Sequence, residues 1–312
     1  MSTYALFGAS GSTGASIAAA LEAAGARYRV VGRDRALLEA EFDDRPLAEI
    51  AIWNPADPAS VRAAATGVDT IFYLVGVPYN RFELHPQLMR ATLDGAIAAG
   101  VRRIVLLAPI YSYGRPQSPT VDESHPRNPD TYKGKMRKEQ EDLVLDAHAS
   151  GRIEATILRV PDFYGNDPKK SLVGDIFVAA VKNRRANVIG PIDTPHQYVF
   201  IDDVGPVVLA LAEEQRAYGK AWNFAGSGTI TQREFANKVF AQVGRKPQMM
   251  VVNTFMLRLI GLFDPIMREL VEMNYLQSNP VLLDDRALRT LLPGVHVTGY
   301  DEGIARTISR TV

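Results

Sequence analysis

The fold is indicated most directly by residues 4–25, which read YALFGASGSTGASIAAALEAAG. A short apolar run comes first, and an alanine-rich stretch with helical spacing follows. Between them lie Gly8, Gly11 and Gly14, at a turn that needs unusual backbone angles and a close approach of ligand to backbone. Free N–H groups at the start of such a helix attract phosphate. The stretch therefore predicts a dinucleotide-binding loop that opens a Rossmann domain.

The same loop offers hydroxyl donors between its glycines. Ser10, Ser12 and Thr13 carry side chains that donate to phosphate oxygens, as backbone N–H groups do. We therefore assign all three to the cofactor site together with the glycines.

The end of the second predicted strand bears on the choice of cofactor. NAD-specific sites commonly place an acidic residue there for the ribose hydroxyls, whereas this chain has Arg33, which suits a 2′-phosphate. The prediction is NADP(H), with NAD as the alternative because the neighbouring Asp34 reaches a ribose if the register shifts.

Three further residues at strand ends are assigned to the cofactor. Asp57 either accepts from the adenine amino group or simply caps the next helix, since Pro58 follows it. Val75 and Gly76 end the fourth predicted strand, and Rossmann domains bind their ligands at the carboxyl ends of strands.

The distribution of apolar residues predicts two regions. Apolar runs alternate with helix-spaced segments through the first half of the chain, as in an α/β fold with a doubly wound parallel sheet. Beyond about Asp162 the alternation breaks and prolines become frequent. We expect an NAD(P)-binding Rossmann domain over 1–161 and a smaller α/β substrate lobe over 162–312, interleaved with the last Rossmann elements.

Composition narrows the class of partner. The 35 basic residues balance the 35 acidic ones, so no net field attracts nucleic acid or an anionic membrane. The chain has no cysteine, and its five histidines lack paired ligand spacing, so we expect no metal site. No apolar run approaches the roughly 20 residues that span a bilayer, and no basic leader is seen. We expect a cytoplasmic protein with a small-molecule substrate.

Beyond the glycine loop, four later segments resemble the extended short-chain dehydrogenases/reductases, also called the NAD-dependent epimerase/dehydratase family. They are VDTIFYLVG at 68–76, ILRVPDFYG at 157–165, YVFIDDV at 198–204 and NFAGSGTITQREFANKV at 223–239. The resemblance covers nearly the whole chain. It implies about seven parallel strands, a C-terminal substrate lobe, a cofactor across the strand ends and a homodimer through helices near 84–99 and 133–148.

The family's catalytic residues are the exception to this resemblance. Members usually carry Ser or Thr after strand five and a YxxxK motif on the next helix. Aligning the family's YGxSKxExE with 133–141 puts Lys133 at the tyrosine and Arg137 at the lysine, while Tyr132 lies one residue early. Pro109 stands where the hydroxyl donor is expected. The chain thus looks like an atypical member with a degenerate tetrad.

Two kinds of proton donor remain open. Lys133 and Arg137 lie one helical turn apart, and repulsion between them is expected to lower the pKa of Lys133 into a useful range. Alternatively Tyr111, Tyr113 or Tyr132 donates the proton directly. The interpretation without a catalytic role is that both cations bind the cofactor or pair with glutamates on an exposed helix face.

The substrate lobe suggests fewer candidates. Tyr164, His196, Tyr198 and the apolar stretch from Phe255 to Met267 are available to line a pocket. His196 is interpreted as an ordinary loop residue, because no acidic partner is identifiable in the sequence. The apolar stretch is interpreted as a core helix.

Two functions fit these observations. The first is an NAD(P)-dependent oxidoreductase or epimerase/dehydratase-like enzyme that acts by hydride transfer on a small carbonyl or hydroxyl substrate. The alternative is an NADP(H)-binding sensor or regulatory protein without turnover, since the phosphate loop is intact and the acid/base pair is not. The intact loop disfavours an empty structural scaffold.

Overall fold

The fold is built on a central parallel sheet. The computed structural model describes residues 3–165, 167–168, 171–253, 255–256, 269 and 271–311. Seven strands pair in the order β10-β6-β5-β4-β1-β2-β3, all parallel. They are β1 (Tyr4–Phe7), β2 (Tyr28–Gly32), β3 (Ala48–Ile52), β4 (Thr70–Tyr73), β5 (Arg103–Pro109), β6 (Glu154–Val160) and β10 (Ala221–Asn223).

Helices cover both faces of this sheet, because successive strand side chains point to opposite sides. In β1, Leu6 packs with α1, α2 and α7, while Phe7 packs with α3, α4 and α5. These helices are α1 (Gly14–Ala23), α2 (Arg35–Phe42), α3 (Pro58–Ala65), α4 (Leu84–Ala98), α5 (Tyr132–Ala149) and α7 (Ile201–Glu213). The predicted doubly wound α/β fold is confirmed.

A second core lies beyond β6. A three-stranded sheet, in the order β11-β9-β7, and a two-stranded pair, β12-β8, combine with the helices of this part of the chain. The elements of this core are β7 (Asp162–Tyr164), α6 (Gly174–Val181), β8 (Ala186–Ile189), β9 (Pro195–Phe200), β11 (Thr229–Thr231), α8 (Gln232–Gln242), β12 (Met249–Val252) and α11 (Tyr300–Thr311). Between β12 and α11, α9 (Tyr275–Ser278) packs on a small separate cluster, and α10 (Arg286–Leu291) packs on the core of the main sheet. The chain returns from this core to the main sheet through α7 and β10.

Two predictions concern apolar segments of the chain. The apolar stretch from Phe255 to Met267 lies outside them except at its first two positions. Within the described part of the chain, no helix is long and apolar enough to cross a membrane.

Candidate cofactor and substrate site

The glycine loop has the close backbone packing that its spacing predicts. Gly8 adopts a φ of +89°, and a Cβ atom there would lie 2.9 Å from the backbone of Val75. A Cβ on Gly14 would collide with the carbonyl oxygen of Ala9. Among the described residues, a Cβ at Gly11 would meet the carbonyl oxygens of Gly8, at 3.2 Å, and Leu74, at 4.0 Å, and no others. Gly8 and Gly14 therefore permit the turn, and Gly11 keeps its open side free for a ligand.

One cavity, of about 280 Å³, lies beside this loop. Its walls include seven of the predicted cofactor residues, which are Gly8, Ser10, Gly11, Ser12, Arg33, Val75 and Gly76. Thr13 lines the adjoining cleft instead. The exposed side chain of Arg33 lies at the rim of this cavity, which we call the adenosine end.

The two aspartates near this end both cap helices. Asp34 accepts a hydrogen bond from the backbone N–H of Leu37 at 3.2 Å, at the start of α2. Asp57 accepts from the backbone N–H of Ala59 at 2.9 Å, at the start of α3. The capping alternative for Asp57 is therefore realised, while its contact with adenine stays a prediction.

A second and larger cavity continues from the first, sharing Gly11, Ser12, Val75 and Gly76 with it. This cleft, of about 410 Å³, follows the carboxyl ends of β1, β4, β5 and β6. Its far wall consists of Tyr79, Phe82, His85, Tyr111, Arg137 and Asp162. Parallel α/β sheets bind ligands at this edge, so the cleft is the candidate site for the reactive end of a dinucleotide.

Two tyrosines face each other in the cleft. Tyr111 belongs to a short 3₁₀ turn, Ile110–Tyr113, that follows β5. Its hydroxyl oxygen lies 2.7 Å from that of Tyr79. Burial raises the pKa of Tyr111 well above the usual value for tyrosine, and the nearby Arg137 cation opposes this only in part. Tyr111 is thus a protonated group in the cleft, able to donate a hydrogen bond or a proton.

Arg137 lies opposite this pair, on α5. Gly134 lets the helix approach closely, since a Cβ there would lie 2.8 Å from the carbonyl oxygen of Tyr111. One guanidinium nitrogen of Arg137, Nη1, donates to Oε1 of Gln140 at 2.8 Å, and its buried Nε has no partner among the described residues. Burial lowers the pKa of Arg137 to about 10. The cleft wall therefore contains a buried cation at the position that the family alignment gives to the lysine.

Lys133 lies one turn away and has a different environment. Its side chain is only 2% exposed, and its Nζ donates to one carboxylate oxygen each of Glu269 and Glu272, both at 2.6 Å. Burial alone would lower the pKa of Lys133, but the hydrogen bonds and charges of the two glutamates outweigh it, so the pKa is raised. The prediction that Arg137 lowers this pKa is wrong, because two carboxylates distant in sequence neutralise the ammonium group.

The other predicted tyrosines lie elsewhere. Tyr132 is 51% exposed and is not among the residues that line the cleft. Tyr113 is buried, and its hydroxyl donates to Oδ1 of Asn223 and accepts from Arg159, both at 2.8 Å. Of the three tyrosines considered as donors, only Tyr111 lines the cleft.

Three cleft residues were not identified from the sequence, namely Tyr79, His85 and Asp162. Burial lowers the pKa of His85 to about 2, so its ring stays neutral. Burial raises the pKa of Asp162. Asp162 was the easiest to find, because it stands two residues after the buried strand β6 at the edge where such sheets bind ligands. Tyr79 and His85 stand in no comparable sequence pattern that would mark them as site residues.

A smaller cavity of about 50 Å³, which we call the inner pocket, adjoins the cleft. It shares Pro109, Tyr111, Val160, Pro161 and Asp162 with the cleft, and adds Ile110, His196, Gln197, Leu276, Gln277, Pro280 and Val281. His196 therefore lines a pocket, although the sequence suggested an ordinary loop residue. Tyr164 and Tyr198 instead pack within the core around α6 and α8. No group of His, Asp or Glu suited to a metal ion occurs among the described residues.

Comparison with known proteins agrees with this architecture. Residues 8–182 match the family model described as NAD(P)H-binding. No curated protein sequence matches the chain. Solved structures with the same fold include UDP-glucuronic acid 4-epimerase from Bacillus cereus in complex with NAD, at 15% identity and a TM-score of 0.80, covering 99% of this chain and 98% of that one.

Two further structures extend the likeness. The dTDP-glucose 4,6-dehydratase from Bacillus anthracis str. Ames, in complex with NAD, is 10% identical with a TM-score of 0.82, covering 99% of this chain and 96% of that one. The UDP-N-acetylglucosamine 4-epimerase from Bacillus cereus is 14% identical with a TM-score of 0.79, covering 100% and 99%. At these identities the likeness establishes the fold alone, which this chain shares with these two epimerases and the dehydratase.

Proposed function

Because this chain belongs to the NAD(P)H-binding family, we propose that it is an NADP(H)-dependent oxidoreductase that acts by hydride transfer on a small carbonyl or hydroxyl substrate. The observation that carries the proposal is the continuity of the cleft. The glycine loop, a protonated tyrosine and a buried arginine line one cavity at the carboxyl edge of the sheet.

The residues of the loop fit a dinucleotide. Gly11 leaves a face that any side chain would fill, and Ser12 and Thr13 follow it at the start of α1. Gly11, Ser12 and Thr13 would hold the pyrophosphate, and Arg33 would hold a 2′-phosphate. The preference for NADP(H) over NAD(H) rests on Arg33, since Asp34 is engaged as a helix cap. Bound NADP(H) supplies a hydride, and bound NADP⁺ accepts one.

Tyr111 is the proposed proton donor in the direction of reduction. Tyr111 lines both the cleft and the inner pocket, so we place the substrate oxygen beside its hydroxyl. Tyr79 is hydrogen-bonded to it, and this contact adds to burial in raising the pKa of Tyr111, so it favours the protonated hydroxyl over the phenolate. The Arg137 cation instead favours the phenolate, because its charge lowers the pKa of Tyr111 against the effect of burial.

Helices α4 and α5 are the proposed surface of a homodimer. α4 and α5 lie side by side on one face of the sheet, with charged side chains such as Arg90 and Glu139 on their exposed surface. We propose that two copies associate through this surface, which light scattering of the purified protein tests directly.

The proposed activity is tested by titration and turnover with the purified protein. We expect NADPH to bind at micromolar concentration and more tightly than NADH, and to be oxidised in the presence of hydroxyacetone or a similar small ketone. Binding without any consumption of NADPH across a panel of carbonyl compounds would favour the sensor alternative. The ion pairs of Lys133 with Glu269 and Glu272 support that alternative, because they occupy one of the two cations proposed for catalysis. Failure of both nucleotides to bind would overturn the proposal.

A further inference from the structure

The inner pocket contains polar groups that the proton-transfer scheme does not use. Asp162 is the first of these. Its carboxylate lies in the wall shared by the cleft and the inner pocket. No described residue donates a hydrogen bond to it, and the structure gives it no salt bridge within the ranges it describes. Burial raises the pKa of this carboxyl group, and a cation bound beside it would favour its charged form.

His196 presents an acceptor to the same pocket. The residue is 6% exposed, and its Nδ1 lies 2.9 Å from the carbonyl oxygen of Thr194. A carbonyl can only accept, so Nδ1 carries the hydrogen, and in this tautomer Nε2 is an acceptor. This Nε2 is buried and has no hydrogen-bond partner among the described residues.

Gln277, on α9, provides a third acceptor. It too is 6% exposed, and its Oε1 is buried without a partner in the described part of the chain. The residues around it in the pocket wall are largely apolar, among them Ile110, Val160 and Leu276. Arginines and lysines are absent from the described residues that line this pocket.

Three acceptors, one of them a carboxylate, therefore surround a space large enough for a group of only a few atoms. A primary ammonium group has three donors and no acceptor, which matches this set. A hydroxyl offers one donor, and a carboxylate would face Asp162 with like charge. We propose that the inner pocket binds the ammonium group of the substrate, which is then a small amino ketone or amino alcohol.

This inference rests on the proposed function, because it names the substrate class of the same site. Tyr111 lines both cavities, so a carbonyl one or two carbons from the ammonium group lies beside the proposed proton donor. The ammonium group orients the substrate, and Tyr111 acts on its oxygen.

The test compares three small ligands that differ in one group. They are 1-amino-2-propanol, propane-1,2-diol and lactate, and their affinities for the NADPH-loaded protein are measured by calorimetry. With the reduced cofactor none of these alcohols can be oxidised, so binding is measured without turnover. We expect the amino alcohol to bind at least about tenfold more tightly than the diol, and lactate to bind no better than the diol.

Variants assign this preference to the pocket. In Asp162→Asn the preference should fall to within about twofold, since a neutral amide replaces the charge, whereas Gln277→Leu should cause a smaller loss. Asp44→Asn, in an exposed turn after α2, is the matched control and should keep the full preference. Unchanged melting temperatures show that the variants are folded.

Three results would overturn the inference. They are equal or tighter binding of the diol or lactate, retention of the preference in Asp162→Asn, and no binding of the amino alcohol. The proposed function is judged separately, by NADPH binding and reduction of hydroxyacetone. If NADPH does not bind, the proposed function fails, and the ligand comparison on the protein alone still decides the ammonium assignment.

Discussion

The two ends of the cleft depend on different kinds of structure. At the adenosine end, the central part of the site is the backbone of seven consecutive residues, Gly8 to Gly14, to which Arg33, Val75 and Gly76 are added from two strand ends. At the other end, Tyr79, Tyr111, Arg137 and Asp162 come from four separate segments and meet only in the folded chain. Cofactor binding is thus largely a local property of this sequence, whereas the proposed chemistry depends on tertiary packing.

Two residues on one turn of α5 show the same dependence on tertiary packing. Lys133 and Arg137 are four residues apart, yet Arg137 lines the cleft and Lys133 holds two glutamates more than 130 residues away in sequence. The cation that contacts the site is the one whose buried Nε lacks a partner among the described residues. The cation that the family alignment placed at the proton donor is held instead in ion pairs with Glu269 and Glu272.

The largest expected effect is a loss of NADPH affinity at the adenosine end. Gly11→Val should weaken NADPH binding by about 100-fold or more, because the new side chain occupies the space that the pyrophosphate needs. The melting temperature should change little, since a Cβ at this position meets few atoms. Gly294→Val, in an exposed turn, is the control and should leave binding unchanged. Normal NADPH affinity in Gly11→Val would refute the loop assignment.

The second effect is confined to the other end. Tyr111→Phe should lower kcat by about 100-fold while leaving the Kd of NADPH unchanged, because it removes the proton donor and no cofactor contact. Tyr132→Phe, outside the cleft, should keep kcat within about twofold. A full rate in Tyr111→Phe would exclude Tyr111 as the acid.

The same residue predicts a pH profile. Reduction requires Tyr111 to be protonated, and burial raises its pKa above the usual value of about 10. The acid form then persists as the pH rises, so kcat/KM for reduction should stay constant from pH 7 to about 9. A decline within this interval would show that a group of lower pKa supplies the proton.

The third comparison separates Lys133 from Arg137. Arg137→Met should lower kcat by about tenfold, because the cation near Tyr111 is lost, with little cost in stability. Lys133→Met should keep kcat within about threefold but destabilise the fold by about 1–3 kcal/mol, because Glu269 and Glu272 lose their partner while still touching solvent. Urea unfolding and steady-state rates measure both effects, and the reverse pattern would restore Lys133 as the acid.

The smallest effect concerns the choice of cofactor. Arg33→Ala should weaken NADPH binding by about tenfold and leave NADH binding unchanged, because only NADPH has a 2′-phosphate. Arg35→Ala, which removes an exposed ion pair with Glu39 on α2, is the matched control. Equal losses for NADPH and NADH would remove the phosphate assignment from Arg33.

The features that could be predicted from the sequence are those that depend on near neighbours in the chain. Strand-helix alternation and the glycine spacing predicted the parallel sheet and its loop, because both depend on near neighbours in the chain. The environment of Lys133 could not be predicted, since Glu269 and Glu272 reach it only after the C-terminal lobe has packed. Asp162 was within reach of sequence reasoning, as a carboxylate just beyond a buried strand, but its meaning depends on the pocket that it lines.

The most direct test of hydride transfer follows the hydride itself. NADPH deuterated at C4 of the nicotinamide ring is incubated with the wild-type protein and hydroxyacetone or aminoacetone, and the products are examined by NMR. We expect deuterium on the carbinol carbon of the product, with formation about 100-fold slower in Tyr111→Phe. Tight NADPH binding with no deuterium in either product would contradict it and leave a nucleotide-binding protein without turnover.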